Sequence, residues 1–416
     1  MPDWRISAPG LEPMSARALA SRLAPTLTTT RPRTLLLTGD NPPGLAAVAQ
    51  VSFANGHQVL LPPPFCPRRD LCLPSGLGVS IHRHGMNGPV RMAGRQVRTG
   101  WDVALFSSGS STGRPRGYGF TRDQLATVTA WYERIYQVTG DSVIVTALPV
   151  SYNFTFIAGV LLAARLGARL HLSGAFPDVL TDAARLAKTA DRVIVLANPV
   201  LLDQATPSGR LPANVTVDSG GAPLSITAIT DYRAHGIDVR EGYGLTETAS
   251  LTHFDTEATG ASTGTVGGPM PGVDVRITIR EGKPAIDVAT PAAAVPLDPA
   301  EPSLGTTLHT TDLGHIDTRG RLRLLGRIDD HQIAGLWPRD TLDALGPLLG
   351  RHCAMVRHHA DDQVTVRLLT PASPHTTTAL NDRAAELLAL PRDHITVTSQ
   401  GTAPLLHSAK LTRNAG

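Results

Sequence analysis

Cysteine is nearly absent from this chain: its 416 residues hold three, Cys66, Cys72 and Cys353. An odd and sparse set supplies no disulfide framework, and the step from Cys66 to Cys72 matches no zinc-binding pattern, so a reducing compartment is expected. Aromatic residues are few, at 4%. Charge of one sign is missing as well. The 38 basic residues stand against 35 acidic ones, for a net charge of +3, too even to create the field by which proteins hold nucleic acid. No uninterrupted run of about 18 apolar residues occurs, and MPDWRISAPGLEPMSARALA lacks the apolar core of a signal peptide. The expectation is a soluble cytoplasmic protein with no nucleic-acid and no membrane partner.

What is present is an ordinary globular composition, 42% hydrophobic and 18% charged, with length for two or three domains. TLLLTGD at 34–40, PGLAAVAQVSFANG at 43–56 and HQVLLPPP at 57–64 read as strand, helix and strand, a βαβ unit. The strand VALF at 103–106 then enters a Ser/Gly-rich loop, after which Thr121 and Gln124 form a capping box for a helix whose Leu125, Val128 and Ile135 share a face. Alternation continues through SVIVTALPV, AGVLLAARLG, RVIVLANP, NVTVDSGG and ITAITDYRAHG. A helix-covered, mostly parallel sheet follows. Beyond residue 265 short β-like runs, VDVRITI and RLRLLG, make a smaller β region, and the Ala/Pro-rich stretch from Pro284 to Pro302 suits a linker or a loop equally. From about 328 the order helix, strand, helix, strand describes a small α+β lid. The fold class is therefore α/β: a large N-terminal domain, 1–327, of mostly parallel helix-covered sheets plus a small β region, then a C-terminal α+β lid domain, 328–416.

The loop SSGSSTGRPRG at 107–117 sets hydroxyl side chains and glycines between a strand and a helix, where backbone N–H groups can converge on a phosphate. Such runs also occur as plain flexible loops, and the G-K-[ST] ending of a Walker loop is absent. Other segments follow it in a set order: DSGGAPLS at 218–225, EGYGLTETA at 241–249, GTVGGPMPGVDVRI at 264–277, HTTDLGHIDTRGRLRLLGRIDD at 309–330 and PLLHSAKLTR at 404–413. Together, from about residue 34 to 413, they resemble the adenylate-forming superfamily of acyl-CoA synthetases, luciferases and peptide-synthetase adenylation domains.

The resemblance implies ATP and Mg2+ as cofactors and a small carboxylic acid as substrate. Ser108, Gly109, Ser110, Ser111, Thr112, Gly113 and Arg116 correspond to its phosphate loop, Arg116 standing where Lys is usual and one Ser being extra. Gly220, Gly221 and Ala222 correspond to the turn against the adenine. Glu241, Gly242 and Tyr243 also fall to the nucleotide, Tyr243 stacking on the base. Thr246 would bond the α-phosphate and Glu247 would hold the metal. Asp312 and Arg327 would grip the ribose, Asp329 would be the hinge of the lid, and Lys410, with Ala409 before it in place of a common Gly, would be the catalytic lysine. Thr246 and Glu247 share the catalytic group with Lys410. Tyr152, Asn153 and Gly244 are the candidate acid-binding residues, Asn153 standing where aryl-acid activating members carry an Asn that bonds a ring substituent.

The activity so implied is activation of the acid as acyl-AMP with release of pyrophosphate, then transfer to a thiol, of coenzyme A or of an acyl carrier protein. After the hinge, HQIAGLWPRDTLDAL is shortened and lacks the usual Lys of the thioester-forming loop. That departure keeps open a non-thiol acceptor or an oxoacid such as nitrite in place of the carboxylate. Arg116 and Ala409 keep open a nucleotide-binding homologue without ligase activity. The histidines His82, His84, His352, His358 and His359 have no ligand-like neighbours in sequence.

Overall fold

The computed structural model describes residues 2–23, 34–37, 42–63, 80–82, 91–93, 100–107, 115–205, 210–256, 263–298, 300–301, 303–369 and 371–399. The expected βαβ unit is present: strands Thr34–Leu36 and Gln58–Leu61 run parallel, joined through the helix Pro42–Ala54. Val103–Phe106 adds a parallel strand, and Gly117–Phe120 and Val295–Pro296 complete a five-stranded sheet on its antiparallel side. All residues of Val103–Phe106 and Gly117–Phe120 are buried, as strands covered on both faces require.

The larger sheet has nine strands. Its middle is parallel, in the spatial order Asp238–Tyr243, Val215–Ser219, Val193–Ala197, Val143–Thr146, Arg169–Leu172, Arg5–Ala8. Alternation along the strands sends Ile144, Ile194 and Leu196 to one core with Tyr132, Tyr136 and Phe156, and Val143, Val195 and Val217 to another with Val179, Leu201 and Tyr232. After Val143–Thr146 the chain crosses on the first face; after Arg169–Leu172 it returns on the second, through the helix Val179–Leu186, to the strand Val193–Ala197 on the other side of Val143–Thr146. Connections that part in this way leave a crevice outside the carboxyl ends of the strands, where ligands of open α/β sheets bind.

The helix Arg122–Tyr136 begins at the predicted capping box, Thr121 with Gln124, and buries Leu125 and Val128, with Ile135 partly covered. The same inward face carries Tyr132 and Tyr136 one turn apart, above the sheet.

The β region is a four-stranded antiparallel sheet of Asp274–Arg280, Lys283–Ala289, Leu308–Ile316 and Leu322–Arg327. The stretch 284–302 is neither a linker nor a simple loop. Ile286 and Val288 bury in that sheet, and the chain then pairs Val295 and Pro296 with Gly119 and Tyr118. Its many alanines are compact enough to pack: Ala292 and Ala294 lie in the main core.

The C-terminal unit consists of the helix Pro338–Leu349, the strands Ala354–His358, Val364–Leu368 and Ile395–Ser399, and the helix Pro374–Leu387. Ala354–His358 was not anticipated, since AMVRH carries little alternation. Leu342, Leu345, Val364, Val366 and Ile395 form a core of its own that begins at Ile333. The unit is docked on the large one. Gly346 packs against Thr227, where a Cβ would meet Thr227 Oγ1 at 2.4 Å, and Arg323 Nη2 reaches Asp340 at 2.8 Å and Asp343 at 3.1 Å.

Candidate active site

A cavity of about 120 Å³ opens at the carboxyl ends of the parallel strands. Its lining includes Tyr152 and Asn153 after Val143–Thr146, Asn198 after Val193–Ala197, Asp218, Gly220 and Gly221 at the end of Val215–Ser219, and Gly242, Gly244 and Thr246 after Asp238–Tyr243. Sequence-predicted positions from separate motifs thus meet in one crevice. Phe106, Tyr132, Leu148, Phe154, Leu245 and Leu251 supply most of its apolar wall. Glycine is required at 244, because a Cβ there would lie 2.2 Å from the Ser250 carbonyl oxygen, and at 221, where φ is +89°.

Asn153 is buried and its amide nitrogen donates to the Thr246 carbonyl at 3.3 Å, which ties the acid-binding candidate to the phosphate-binding one. Four residues that sequence reasoning passed over are in the same place. Tyr132 Oη and Ser250 Oγ share a hydrogen bond of 3.0 Å, and the Tyr136 hydroxyl donates to Asp218 Oδ2. Asp218 Oδ1 has no partner among the described residues, although the residue is only 1% exposed. Burial pushes the Asp218 carboxyl up to about 7, opposed by the Tyr136 hydrogen bond. A carboxylate inside a strand run was the signal in NVTVDSGG, since charges are rarely buried unpaired.

A second polar group flanks the cavity. Asp312 and Arg327 face each other across neighbouring strands, Arg327 Nε lying 3.1 Å from Asp312 Oδ1. Tyr243, on the strand that ends in the crevice, donates its hydroxyl to Asp312 Oδ2 at 2.9 Å, and that contact with burial holds the phenol in its protonated form. Arg327 also donates to Thr311 Oγ1. Glu247 is half-buried within hydrogen-bonding reach of the Tyr118 hydroxyl, and its carbonyl accepts from Ala294 N at 2.9 Å, so the misread 284–302 stretch is what steadies it. Among the described residues no cluster of three His, Cys, Asp or Glu could hold a metal. One carboxylate with open sides fits Mg2+, which takes few protein ligands beside phosphate oxygens and water.

Other predicted residues have different company. Glu241 is buried on the opposite face of its strand from the cavity, accepts from Leu224 N at 3.1 Å and pairs with Arg339 at 3.5 Å. Its carboxylate is thereby engaged with protein groups. Arg116 forms an ion pair with Glu301 at 3.2 Å, and Ala222 is half-buried next to the lining Gly221. Asp329 accepts from Arg357 Nη2 at 2.8 Å, and the neighbouring Asp330 caps Arg327 N at 2.7 Å, a join between β region and C-terminal unit. Ser108, Gly109, Ser110, Ser111, Thr112, Gly113 and Lys410 lie outside the described residues, as do Cys66 and Cys72.

The strand-end crevice with its glycine walls and the Asp312–Arg327 pair beside it make up the candidate site. The model of one family, AMP-binding enzyme, matches residues 95–288, a little under half of the chain, in line with the resemblance its motifs carry. Two curated relatives are each 26% identical. One is 3-[(3aS,4S,7aS)-7a-methyl-1,5-dioxo-octahydro-1H-inden-4-yl]propanoyl:CoA ligase of Mycobacterium tuberculosis, matched over 70% of this chain and 59% of the relative. The other is an oxalate–CoA ligase of Arabidopsis thaliana, matched over 55% of this chain and 49% of the relative. The chain therefore spans about half to three fifths of the length of these relatives. Among solved structures, o-succinylbenzoate CoA synthetase of Bacillus subtilis with its acyl-adenylate superposes at a TM-score of 0.73, 18% identical, over 100% of this chain and 95% of that one. A benzoate CoA ligase of Burkholderia xenovorans gives 0.70 at 18% identity over 98% and 95%. At such identities these likenesses speak for the fold. Among the described residues no helix is long and apolar enough to cross a membrane.

Proposed function

We propose that the chain is an AMP-forming acid ligase that activates a small carboxylic acid as its acyl adenylate and passes the acyl group to coenzyme A. The observation that carries this reading is the convergence of Gly220, Gly221, Gly242, Gly244 and Thr246 on one cavity, with Asp312 and Arg327 tied to it through Tyr243. The thiol-ligase relatives, both named as CoA ligases, favour coenzyme A over other acceptors. The shortened segment after Asp329 favours a non-thiol acceptor as the second reading.

In this reading the glycine backbones let the adenine lie close to the strand ends, and the Tyr243 ring flanks it. Asp312 accepts from the ribose hydroxyls while Arg327 and Tyr243 hold its carboxylate in place. Thr246 donates to the α-phosphate, and Asn153 keeps Thr246 in position through its carbonyl. Bound at Glu247, magnesium supplies positive charge to the phosphate oxygens. Lys410 supplies a further cation where negative charge develops as the acid attacks.

Acid-dependent pyrophosphate release with hydroxylamine trapping, across aryl, aliphatic and amino acids, tests the reading. Lys410→Ala is expected to slow adenylation by roughly 100- to 1,000-fold while ATP binding persists. Wild-type protein that binds ATP and releases no pyrophosphate with any acid would overturn it.

A further inference from the structure

Most of the acid cavity is explained by shape and nucleotide binding, but one group in it is not. Asp218 lies on the strand Val215–Ser219, in register with Leu196, so its side chain belongs to the face that carries Ile194, Leu196 and the helix Arg122–Tyr136. That face is apolar around it: Tyr132 and Tyr136 stand 5.4 Å apart, Phe154 lies 6.2 Å from Tyr132, and Phe254 lies 6.0 Å from Tyr136. Tyr136 covers one carboxylate oxygen. The other, Oδ1, is buried and has no partner among the described residues, and a Cβ at the cavity-lining Gly242 would lie 3.6 Å from it.

An isolated carboxylate costs several kcal/mol to bury unless hydrogen bonds or a counter-charge compensate it. Tyr136 compensates half of the group, and a ligand that completes it must bring a donor. The end of the acid that reacts cannot be that ligand group, since two carboxylates repel; it points instead to Thr246, which the ligase reading gives to the α-phosphate.

We propose that Asp218 is the residue that selects the acid: its free Oδ1 accepts a hydrogen bond from an amino or hydroxyl group at the end of the substrate remote from the reacting carboxylate. The pocket is then built for a small amino- or hydroxy-substituted monoacid, and it rejects dicarboxylates. An amine or hydroxyl that reaches Oδ1 also draws Asp218 into its ionised form, against the burial that holds its proton. The groups facing it are the Tyr136 and Tyr132 hydroxyls, both kept protonated by burial and by Asp218 itself.

This selectivity rests on the ligase reading, and two readouts keep the two apart. Matched acids are compared in wild type, Asp218→Asn and Asp218→Leu: 3- and 4-amino- and hydroxybenzoates against the methylbenzoates, 4-aminobutyrate and 4-hydroxybutyrate against pentanoate, and benzene dicarboxylates. Adenylation is followed by pyrophosphate release, and acid binding by thermal shift with calorimetry, without turnover. The wild type is expected to prefer a donor-bearing acid to its methyl partner by roughly 10- to 100-fold in kcat/KM, the usual worth of a hydrogen bond to a charged group. Asp218→Asn lowers that preference at least tenfold and Asp218→Leu reverses it, both with unchanged ATP affinity as the control for folding. A wild type that favours methyl partners or dicarboxylates, or that binds none of the acids, overturns the proposal, as does an unchanged preference in folded Asp218→Leu. Donor-selective binding that depends on Asp218, without pyrophosphate release, sustains the pocket and sinks the ligase reading.

Discussion

Two carboxylates are buried on adjacent strands, one residue pair apart in register, and they have opposite surroundings. Glu241 is aligned with Ser219 and turns to the face where the C-terminal unit docks; Asp218 is aligned with Arg240 and turns to the acid cavity. Glu241 accepts from a backbone N–H and faces the Arg339 guanidinium, which is itself buried and held by Asp343 at 3.2 Å. Asp218 has a tyrosine hydroxyl and nothing more among the described residues. The first arrangement joins two structural units. A charge needed for folding is supplied with its counter-charge by the fold, whereas one left half-satisfied in a cavity is available to a ligand, at a standing cost in stability.

The largest expected effect comes from removing the counter-charge of the first carboxylate. Arg339→Ala leaves Glu241 buried and uncompensated, and urea unfolding should show a loss of about 3–5 kcal/mol. A loss under about 1 kcal/mol would mean that the pair contributes little and that the contrast with Asp218 is false. In the other pocket the same measurement should run the opposite way. The Asp218 carboxyl is raised from 3.8 to about 7, so between those values the folded state binds the extra proton and stability falls as pH rises. A rise of that size corresponds to about 4 kcal/mol at pH 8, of which an asparagine amide with an incomplete partner set would recover roughly half. Asp218→Asn should therefore gain about 2 kcal/mol at pH 8 and nearly nothing at pH 4. An equal gain at both pH values would sink the assignment.

The smallest effect sharpens the contrast from a third buried group. His253 is lowered from 6.5 to about 4 by desolvation, with Thr252 Oγ1 on Nδ1 at 3.0 Å and no partner at Nε2 among the described residues. The unfolded chain then binds the extra proton, so this contribution is intact above 6.5 and is lost as pH falls towards 4, at about 1.4 kcal/mol per pH unit. His253 and Asp218 slope in opposite directions over the same window. His253→Gln should reduce the acid sensitivity by about 1 kcal/mol at pH 5.5, and in the Asp218→Asn background the His253 slope should emerge uncancelled in stability curves from pH 4 to 8.

Much of the fold was legible along the chain. The capping box at Thr121 and Gln124, the buried runs VALF and VIVLA and the helix Pro42–Ala54 are settled by neighbours a few residues away, through hydrogen bonds and periodic burial. The glycine positions of the site were legible as well, because the demands at Gly221 and Gly244 come from tight local turns. The strand Ala354–His358 was hidden, as its pairing with Val364–Leu368 is tertiary support for a run with weak alternation of its own.

By itself, then, the sequence determined the order of elements, the glycine-lined turns and the company of motifs around EGYGLTETA. Only the tertiary structure decided which buried carboxylate has a counter-charge and which has a vacant oxygen. Those states depend on partners far along the chain, Tyr136 lying 82 positions from Asp218 and Arg339 lying 98 from Glu241. The physical reason is that the energy of a buried charge is set by what surrounds it in space, and an alternating strand shows only which face a side chain takes.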